Sequence, residues 1–266
     1  MEIQMWRKIL APYELAVEEI QLKLRQLIKE SRANGRFSYI ERVSGRVKKL
    51  SSILDKAKRK NIAIENVTAE MTDLAGIRII CQFVDDIAEV VRLIRERPDM
   101  EVVEEQDYVS TEKKSGYRSY HLVVMYEVIT IYGKQRVPVE IQIRTMAMDF
   151  WATVEHSLRY KYDGEVPEQI RRRLEAAAKA VEELDYEMSH IRDQTMIAQV
   201  EFWDKASLAR EILDNIQNLY RFERTDAIKN IQDEFFHLYE VGTPDELAEF
   251  NHRLDKIAAR YGVQTL

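Results

Sequence analysis

The sequence predicts an α+β domain, a small mixed sheet flanked by helices, followed by a helical C-terminal extension. Three observations carry this. Apolar residues recur at three- and four-residue spacing through residues 5–29; short alternating, β-rich runs follow between residues 77 and 145; and from residue 146 the helical period returns almost throughout. At 266 residues the chain buries a sizeable core without staples, and 45% hydrophobic and 32% charged residues with only 8 Gly and 5 Pro exclude disordered and collagen-like classes.

The first helix rests on Ile9, Leu10, Tyr13, Val17, Ile20, Leu24, Leu27 and Ile28, with Pro12 as an early kink or as its start. SRANGRFS (31–38) reads as a connection. A second helix, 47–60, turns Leu50, Ile53, Leu54 and Ala57 to the core and aligns Ser52, Lys56 and Arg59 on another stripe. IRIICQF (77–83) is a strand behind the turn-like Asp73-Leu74-Ala75-Gly76, and DDIAEVVRLIRER (85–97) is a helix that stops at Pro98. Strands follow at 102–109, 119–131 and 137–145, with Tyr132-Gly133-Lys134 as a hairpin turn. The helical remainder is interrupted at Asp163-Gly164 and around 241–244. The expected division is a domain at 1–200 and a helical extension at 201–266.

Exclusions narrow the function. The single cysteine, Cys81, makes no internal disulfide, and no Cys/His cluster has zinc spacing. The opening MEIQMWRKILAPYEL is not a secretory signal, and no run approaches the roughly 18 apolar residues of a membrane span, so a cytoplasmic, non-membrane protein is expected. No P-loop, G-x-G-x-x-G or G-x-S-x-G occurs, and none of His121, His156, His190, His237 and His252 sits in an HxxxH or HD pair. The charge of −6 conceals a block: residues 32–60 carry ten basic residues against two acids. A basic window on an acidic chain points to a local phosphate site.

Two segments carry candidate chemistry. In VEIQIRT, Val139, Ile141 and Ile143 face one way, and Glu140, Gln142 and Arg144 the other. Asp73, just before another strand, and Glu140 would suit one Mg²⁺ that keeps positions for phosphate oxygens and water if their strands adjoin, which spacing alone does not show. STEKKSGYRSYHLVV brings Lys113, Lys114, Gly116, Tyr117, Arg118 and His121 together, a loop suited to stacking on a base beside its phosphates. A polar hairpin loop with a core tyrosine, and a strand-edge histidine, are the plainer alternatives.

GRVKKLSSILDKAKRK, MTDLAGIRIICQFVDDI, SGYRSYHLVV and VEIQIRTMAMDFWATVEHSLRYKY, in that order, resemble the RelA/SpoT-type (p)ppGpp synthetase family in its single-domain form, the RelQ-like small alarmone synthetases. The resemblance runs from about residue 5 to 195. It implies a nucleotidyltransferase-like fold with a mixed five-stranded sheet, and transfer of pyrophosphate from ATP to the 3′-hydroxyl of GDP or GTP. It implies that Arg46 and Arg78 sandwich adenine, and that Lys48, Lys56 and Arg59, with Ser52 on the same stripe, meet the ATP phosphates. Asp73 and Glu140 match the Mg²⁺ ligands, with Glu140 also placed to take the 3′-hydroxyl proton. Tyr117 matches the residue that stacks on guanine, Lys113 and His121 match phosphate contacts of the acceptor, and Gln142, Asp149 and Glu155 fall in its pocket.

The resemblance also implies a homotetramer in the cytoplasm, and synthesis without degradation, since no HD motif is present. The chain departs from the family at Gln106, where a basic residue is expected, at Asp149, where relatives often carry Asn, and at Arg42, which replaces an aromatic residue near Gln21, Arg25 and Ser44. Other readings within the fold are ppApp synthesis or tRNA modification, and outside catalysis a nucleotide or RNA sensor. A regulator, single-stranded RNA or protein, is a further partner class. Residues 200–266 carry 13 acids and 8 basic residues, with Phe202, Trp203, Leu208, Ile212, Ile216, Leu219 and Tyr220 at helical spacing and Phe235, Phe236, Leu238 and Tyr239 clustered. Capping or oligomerisation is one expectation for them, and a regulatory module the other.

Overall fold

The computed structural model describes residues 2–111, 115–161, 167–222 and 226–260. The chain forms two compact units, Met1–Ser189 and His190–Leu266. The boundary expected at 200/201 falls inside one long helix, α6 (Glu168–Phe222).

In the first unit a five-stranded mixed sheet has the order β1-β2-β5-β4-β3, with β1 (Arg42–Val47), β2 (Ala75–Cys81), β3 (Glu101–Asp107), β4 (Tyr120–Thr130) and β5 (Gly133–Thr145). β2 and β5 run parallel, and the other neighbours are antiparallel. One sheet face is apolar. It presents Ile77, Ile79, Leu122, Val124, Tyr126, Val139, Ile141 and Ile143, all buried. Helix α1 (Glu2–Ala33) packs against β1, β2, β4 and β5, burying Trp6, Tyr13, Val17, Ile20, Leu24 and Ile28 at helical spacing. Helix α4 (Asp85–Arg95) packs on β5 through Ile87, Val90, Val91 and Ile94.

Pro12 lies inside α1, so it does not start that helix. Its missing N–H leaves the Lys8 carbonyl without a helical donor, a loss tolerated where Lys8 is exposed to water. Helix α2 (Leu50–Lys60) starts later than 47 because the preceding residues form β1, a strand the hydrophobic pattern does not announce. The inward positions of RVSGRV are Val43, Gly45 and Val47, and the glycine interrupts the apolar alternation. Gly45 faces α1 so closely that a Cβ there would stand 2.6 Å from Ile77 Cδ1 and 2.9 Å from Val17 Cγ1. The β4–β5 turn is Ile131-Tyr132, one residue earlier than expected, and Gly133 supplies φ +99° at the start of β5. A short 3₁₀ turn (Ile64–Asn66) and α3 (Val67–Glu70) lead from α2 to Asp73, and β5 runs directly into α5 (Met146–Lys161).

The second unit contains the end of α6, α7 (Asp226–Val241) and α8 (Pro244–Arg260) around Ala209, Ile212, Ile216, Leu219, Phe235, Leu247, Phe250 and Leu254. A capping box starts α8: Thr243 Oγ1 accepts from the Glu246 N–H (3.3 Å) and Glu246 Oε2 accepts from the Thr243 N–H (2.8 Å). Among the described residues, no helix is long and apolar enough to cross a membrane.

Candidate active site

The second sheet face is polar because each strand alternates. Register places Ser44, Arg78, Gln142, His121 and Gln106 in one cross-strand row, and Arg46, Gly76, Glu140, Val123 and Glu104 in the next. β5 is the middle strand, so Glu140, Gln142 and Arg144 form a seam between the β1–β2 side and the β4–β3 side. His121 stands on an interior strand, not at an edge.

A cavity of about 320 Å³ on the β1–β2 side is lined by Ser44, Gly45, Arg46, Lys48, Asp73, Gly76, Ile77, Arg78, Glu140 and Gln142. A second, about 180 Å³, is lined by Lys56, Thr72, Asp73, Glu104, Gln106, His121, Val123 and Glu140. Asp73 and Glu140 line both. The two carboxylates therefore stand where the cavities share a wall.

Lys48 Nζ (2.5 Å) and Lys56 Nζ both donate to Asp73 Oδ2. Burial raises the Asp73 carboxyl, but these two ammonium groups outweigh it and hold the group below the ordinary carboxylate range. Glu140 accepts from Gln142 Nε2 (2.8 Å) and from His121 Nδ1 (3.3 Å). Burial raises it as well, and His121 and Gln142 together bring it below its usual value despite repulsion from Asp73. Both groups are thus anionic at neutral pH. Two ionised carboxylates with hard oxygen donors, open on both sides to further oxygen ligands, fit a Mg²⁺ ion completed by phosphates and water. Among the described residues there is no group of three or more His, Cys, Asp or Glu to hold a metal by protein ligands alone.

A hydrogen-bonded chain approaches Glu140 along the β4 side. Arg144 Nη2 donates to the Tyr117 hydroxyl (2.5 Å), which pairs with His121 Nε2 (2.8 Å), whose Nδ1 faces Glu140. The two ring nitrogens of His121 thus link the Tyr117 hydroxyl to the Glu140 carboxylate. Arg144 also lies 5.1 Å from the Tyr117 ring centroid and donates to Gln142 Oε1 (2.9 Å). The ring is seated by its neighbours: Gly116 has φ +77°, and a Cβ there would stand 2.3 Å from Ala178 Cβ of α6. Tyr117 packs with Trp151, Ala152 and Ala178.

Asp149, in the first turn of α5, collects three guanidinium groups: Arg78 at 3.0 Å, Arg144 at 3.4 Å and Arg42 at 3.7 Å. Burial and the neighbouring Arg144 lower the Arg78 pKa, and Asp149 opposes that shift.

The structure thus brings Arg46, Lys48, Asp73, Arg78, Glu140 and Gln142 around one cavity, and Lys56, Asp73, His121 and Glu140 around the other. Ser52 and Arg59 are exposed on α2, one turn to either side of Lys56, and line neither cavity. Glu155 is half-buried on α5 and lines neither. Lys113 lies outside the described residues. Sequence reasoning missed Thr72 and Glu104, gave Ser44 and Gln106 no place in the site, and put Arg144 on the polar face of β5 without a role. The alternation that singles out Glu140 and Gln142 also contains Arg144; Ser44 required recognition of β1. Cys81 is buried, which pushes its thiol up and leaves it inert.

Two clefts that share a carboxylate pair, one lined by Arg46, Lys48 and Arg78 and the other by Lys56 and His121, make up a site of the class that moves a phosphate-bearing group between two bound molecules. Residues 45–165 match the family described as the region found in RelA/SpoT proteins. The chain is 49% identical over 202 residues to the GTP pyrophosphokinase YjbM of Bacillus subtilis, covering 76% of this chain and 95% of that one. Small alarmone synthetase 1 of Bacillus subtilis bound to its product pppGpp superposes with a TM-score of 0.69 at 50% identity, covering 72% of this chain and 98% of that one. The same enzyme bound to AMPCPP gives 0.64 at 46% identity, covering 73% of this chain and 98% of that one. The chain belongs to the RelA/SpoT synthetase family, in its small alarmone synthetase form.

Proposed function

We propose that this chain is a GTP/GDP pyrophosphokinase that makes (p)ppGpp and AMP. The observation that carries the reading is the position of Asp73 and Glu140 on both cavities at once. A β-phosphate held between them lies within reach of a donor on the β1–β2 side and an acceptor hydroxyl on the β4 side. Arg46 and Arg78 hold the adenine of ATP, with Lys48 and Lys56 released from Asp73 onto its phosphates. Ser52 and Arg59 extend that cationic stripe along α2. Tyr117 stacks on guanine, and His121, Lys113, Gln142 and Glu155 complete the acceptor side.

The acceptor 3′-oxygen attacks the β-phosphorus of ATP, the bond from that phosphorus to the α,β-bridging oxygen breaks, and AMP departs with the electron pair. The 3′-hydroxyl proton passes to Glu140. Asp73 and Glu140 would hold Mg²⁺, which when bound would supply positive charge to the phosphate oxygens. The protein's own contribution is positioning and charge neutralisation. The exposed stripe Met146, Phe150, Val154 and Leu158, at four-residue spacing on α5, supports a homo-oligomer, a tetramer by kinship.

The test is turnover with ATP and Mg²⁺ against GDP, GTP, AMP, ADP, ATP or tRNA, with products resolved by anion exchange. AMP release matched by guanosine tetra- or pentaphosphate is expected. Product with adenosine acceptors or tRNA alone would overturn the assignment of acceptor. No AMP with any acceptor would overturn the enzyme reading.

A further inference from the structure

We infer that Asp149 is a positioning residue that couples the two nucleotide sites, so that occupancy of either tightens the other. The inference rests on the pyrophosphokinase reading of the two clefts, and its novelty lies in a connection between them.

Asp149 is an acid whose carboxylate meets arginines from both sides of the seam. β5 ends at Thr145, whose hydroxyl accepts from the Met148 N–H (3.0 Å) and so caps α5. That cap brings the first turn of α5 back over the carboxyl ends of the parallel strands β2 and β5, with Asp149 in it. On the donor side, Oδ1 pairs with Arg78 of β2 at 3.0 Å, and Oδ2 faces Arg42 of β1 at 3.7 Å. On the acceptor side, the same Oδ1 faces Arg144 Nη1 at 3.4 Å, and Arg144 Nη2 holds both Gln142 and the Tyr117 hydroxyl. One oxygen therefore serves the arginine that meets adenine and the arginine that orients the guanine platform.

The partners differ in freedom. The Arg144 side chain is 5% exposed and Asp149 14%, whereas Arg78 is 37% exposed and stands at the cavity wall. Arg78 is the most exposed partner of Oδ1, so its guanidinium is the one a ligand in the cavity can reach. A bound adenine base immobilises it. Asp149 is then fixed, Arg144 with it, and the Tyr117 ring is held in one orientation before the acceptor arrives. The second nucleotide meets a surface whose ordering has already been done, which is positive coupling without a large movement. By linkage the effect is equal in both directions.

Calorimetric titrations of the full chain with Mg²⁺ test this, using GDP and α,β-methylene-ATP, whose bridge does not cleave. In the unaltered protein, GDP binds about five-fold or more tighter when the analogue is present, and the analogue tightens by the same factor when GDP is present. In Asp149→Asn the ratio falls to within two-fold of one, whatever happens to each separate affinity. Arg144→Lys keeps a charge beside Asp149 but lacks the fork that bonds Asp149, Gln142 and Tyr117 together, and it loses the ratio as well. That second variant keeps the test decisive if Asp149→Asn folds poorly. A retained ratio in both variants, or a ratio of one in the unaltered protein, overturns the coupling while leaving the pyrophosphokinase reading intact. Failure of both nucleotides to bind overturns the two together.

Discussion

The two compact units of this chain treat polarity in opposite ways. In Met1–Ser189 the sheet carries an apolar face closed by α1 and α4, and a second face on which Arg46, Lys48, Asp73, Arg78 and Glu140 line open cavities. In His190–Leu266 the buried polar groups close on one another. Asn215 donates to Asn251 (3.2 Å) and Asp255 (3.3 Å), and Asn251 donates to Glu211 (2.9 Å). Charge arranged around a cavity is available to a ligand, whereas polar groups that satisfy each other specify packing. The contrast places the candidate site in the sheet unit.

The largest test is Glu140→Gln. The substitution keeps the shape but turns one of two accepting oxygens into an N–H₂, so that one of the two present donors, Gln142 Nε2 or His121 Nδ1, meets a donor in place of a carboxylate oxygen. Turnover should fall by about 10³-fold, within the span expected for loss of a general base, while the melting temperature barely moves. AMP release measured beside a thermal melt checks it; turnover within ten-fold of the unaltered protein would mean the seam is not where the reaction occurs.

Phe235→Ala acts on the other side of the contrast. Phe235 is 2% exposed and packs beside Phe250 in the helical core, so truncation should cost about 3–5 kcal/mol of that unit's stability. Turnover per folded sheet unit should stay within about two-fold. Denaturant melts followed by activity at each point separate the two quantities, and activity lost in step with the helical unit would break the division. A smaller loss, about 1–3 kcal/mol, is expected for Asn251→Ala, which leaves the buried Asn215 amide short of a partner.

What was legible in the sequence follows the same division. Periodicity found α1, α4, β2, β4 and β5 because each has a clean apolar face; β3, the remaining strand it found, is an edge strand with no buried residue. It missed β1, where Gly45 takes an inward position to let α1 approach, so the pattern that marks a strand is absent for a packing reason. The alternation of β5 exposed Glu140 and Gln142 directly. The link of Lys56 to Asp73 and the meeting of three arginines at Asp149 were not legible, because each joins elements far apart in sequence. Periodicity reads one element at a time. It found the helical character of the extension, but the polar pairs of Asn215 and Asn251 are cross-helix contacts it does not encode.

The smallest effect sharpens the contrast within the sheet unit, where one buried acid resembles neither the open site nor the closed asparagine network. Asp185 on α6 is 4% exposed and accepts from the Thr145 hydroxyl (2.8 Å), the group that caps α5. Burial pushes its carboxyl up to about 6 from the usual 3.8, aided by Glu182 and opposed by Thr145 and Arg118. A folded-state pKa above the unfolded one means that the folded chain holds the proton longer. Stability from this group is therefore full below about pH 4, declines as pH rises toward 6, and is absent above it. Asp185→Asn keeps an acceptor for Thr145 and never ionises. It should raise the melting temperature at pH 8 by a few degrees, on a scale of about 2–4 °C per kcal/mol for a unit this size, and the gain should shrink steadily toward pH 4. Melts of both proteins at pH 4, 6 and 8 decide the matter. A gain independent of pH would mean that Asp185 is already neutral, and that the capped junction beneath Asp149 carries no buried charge of its own.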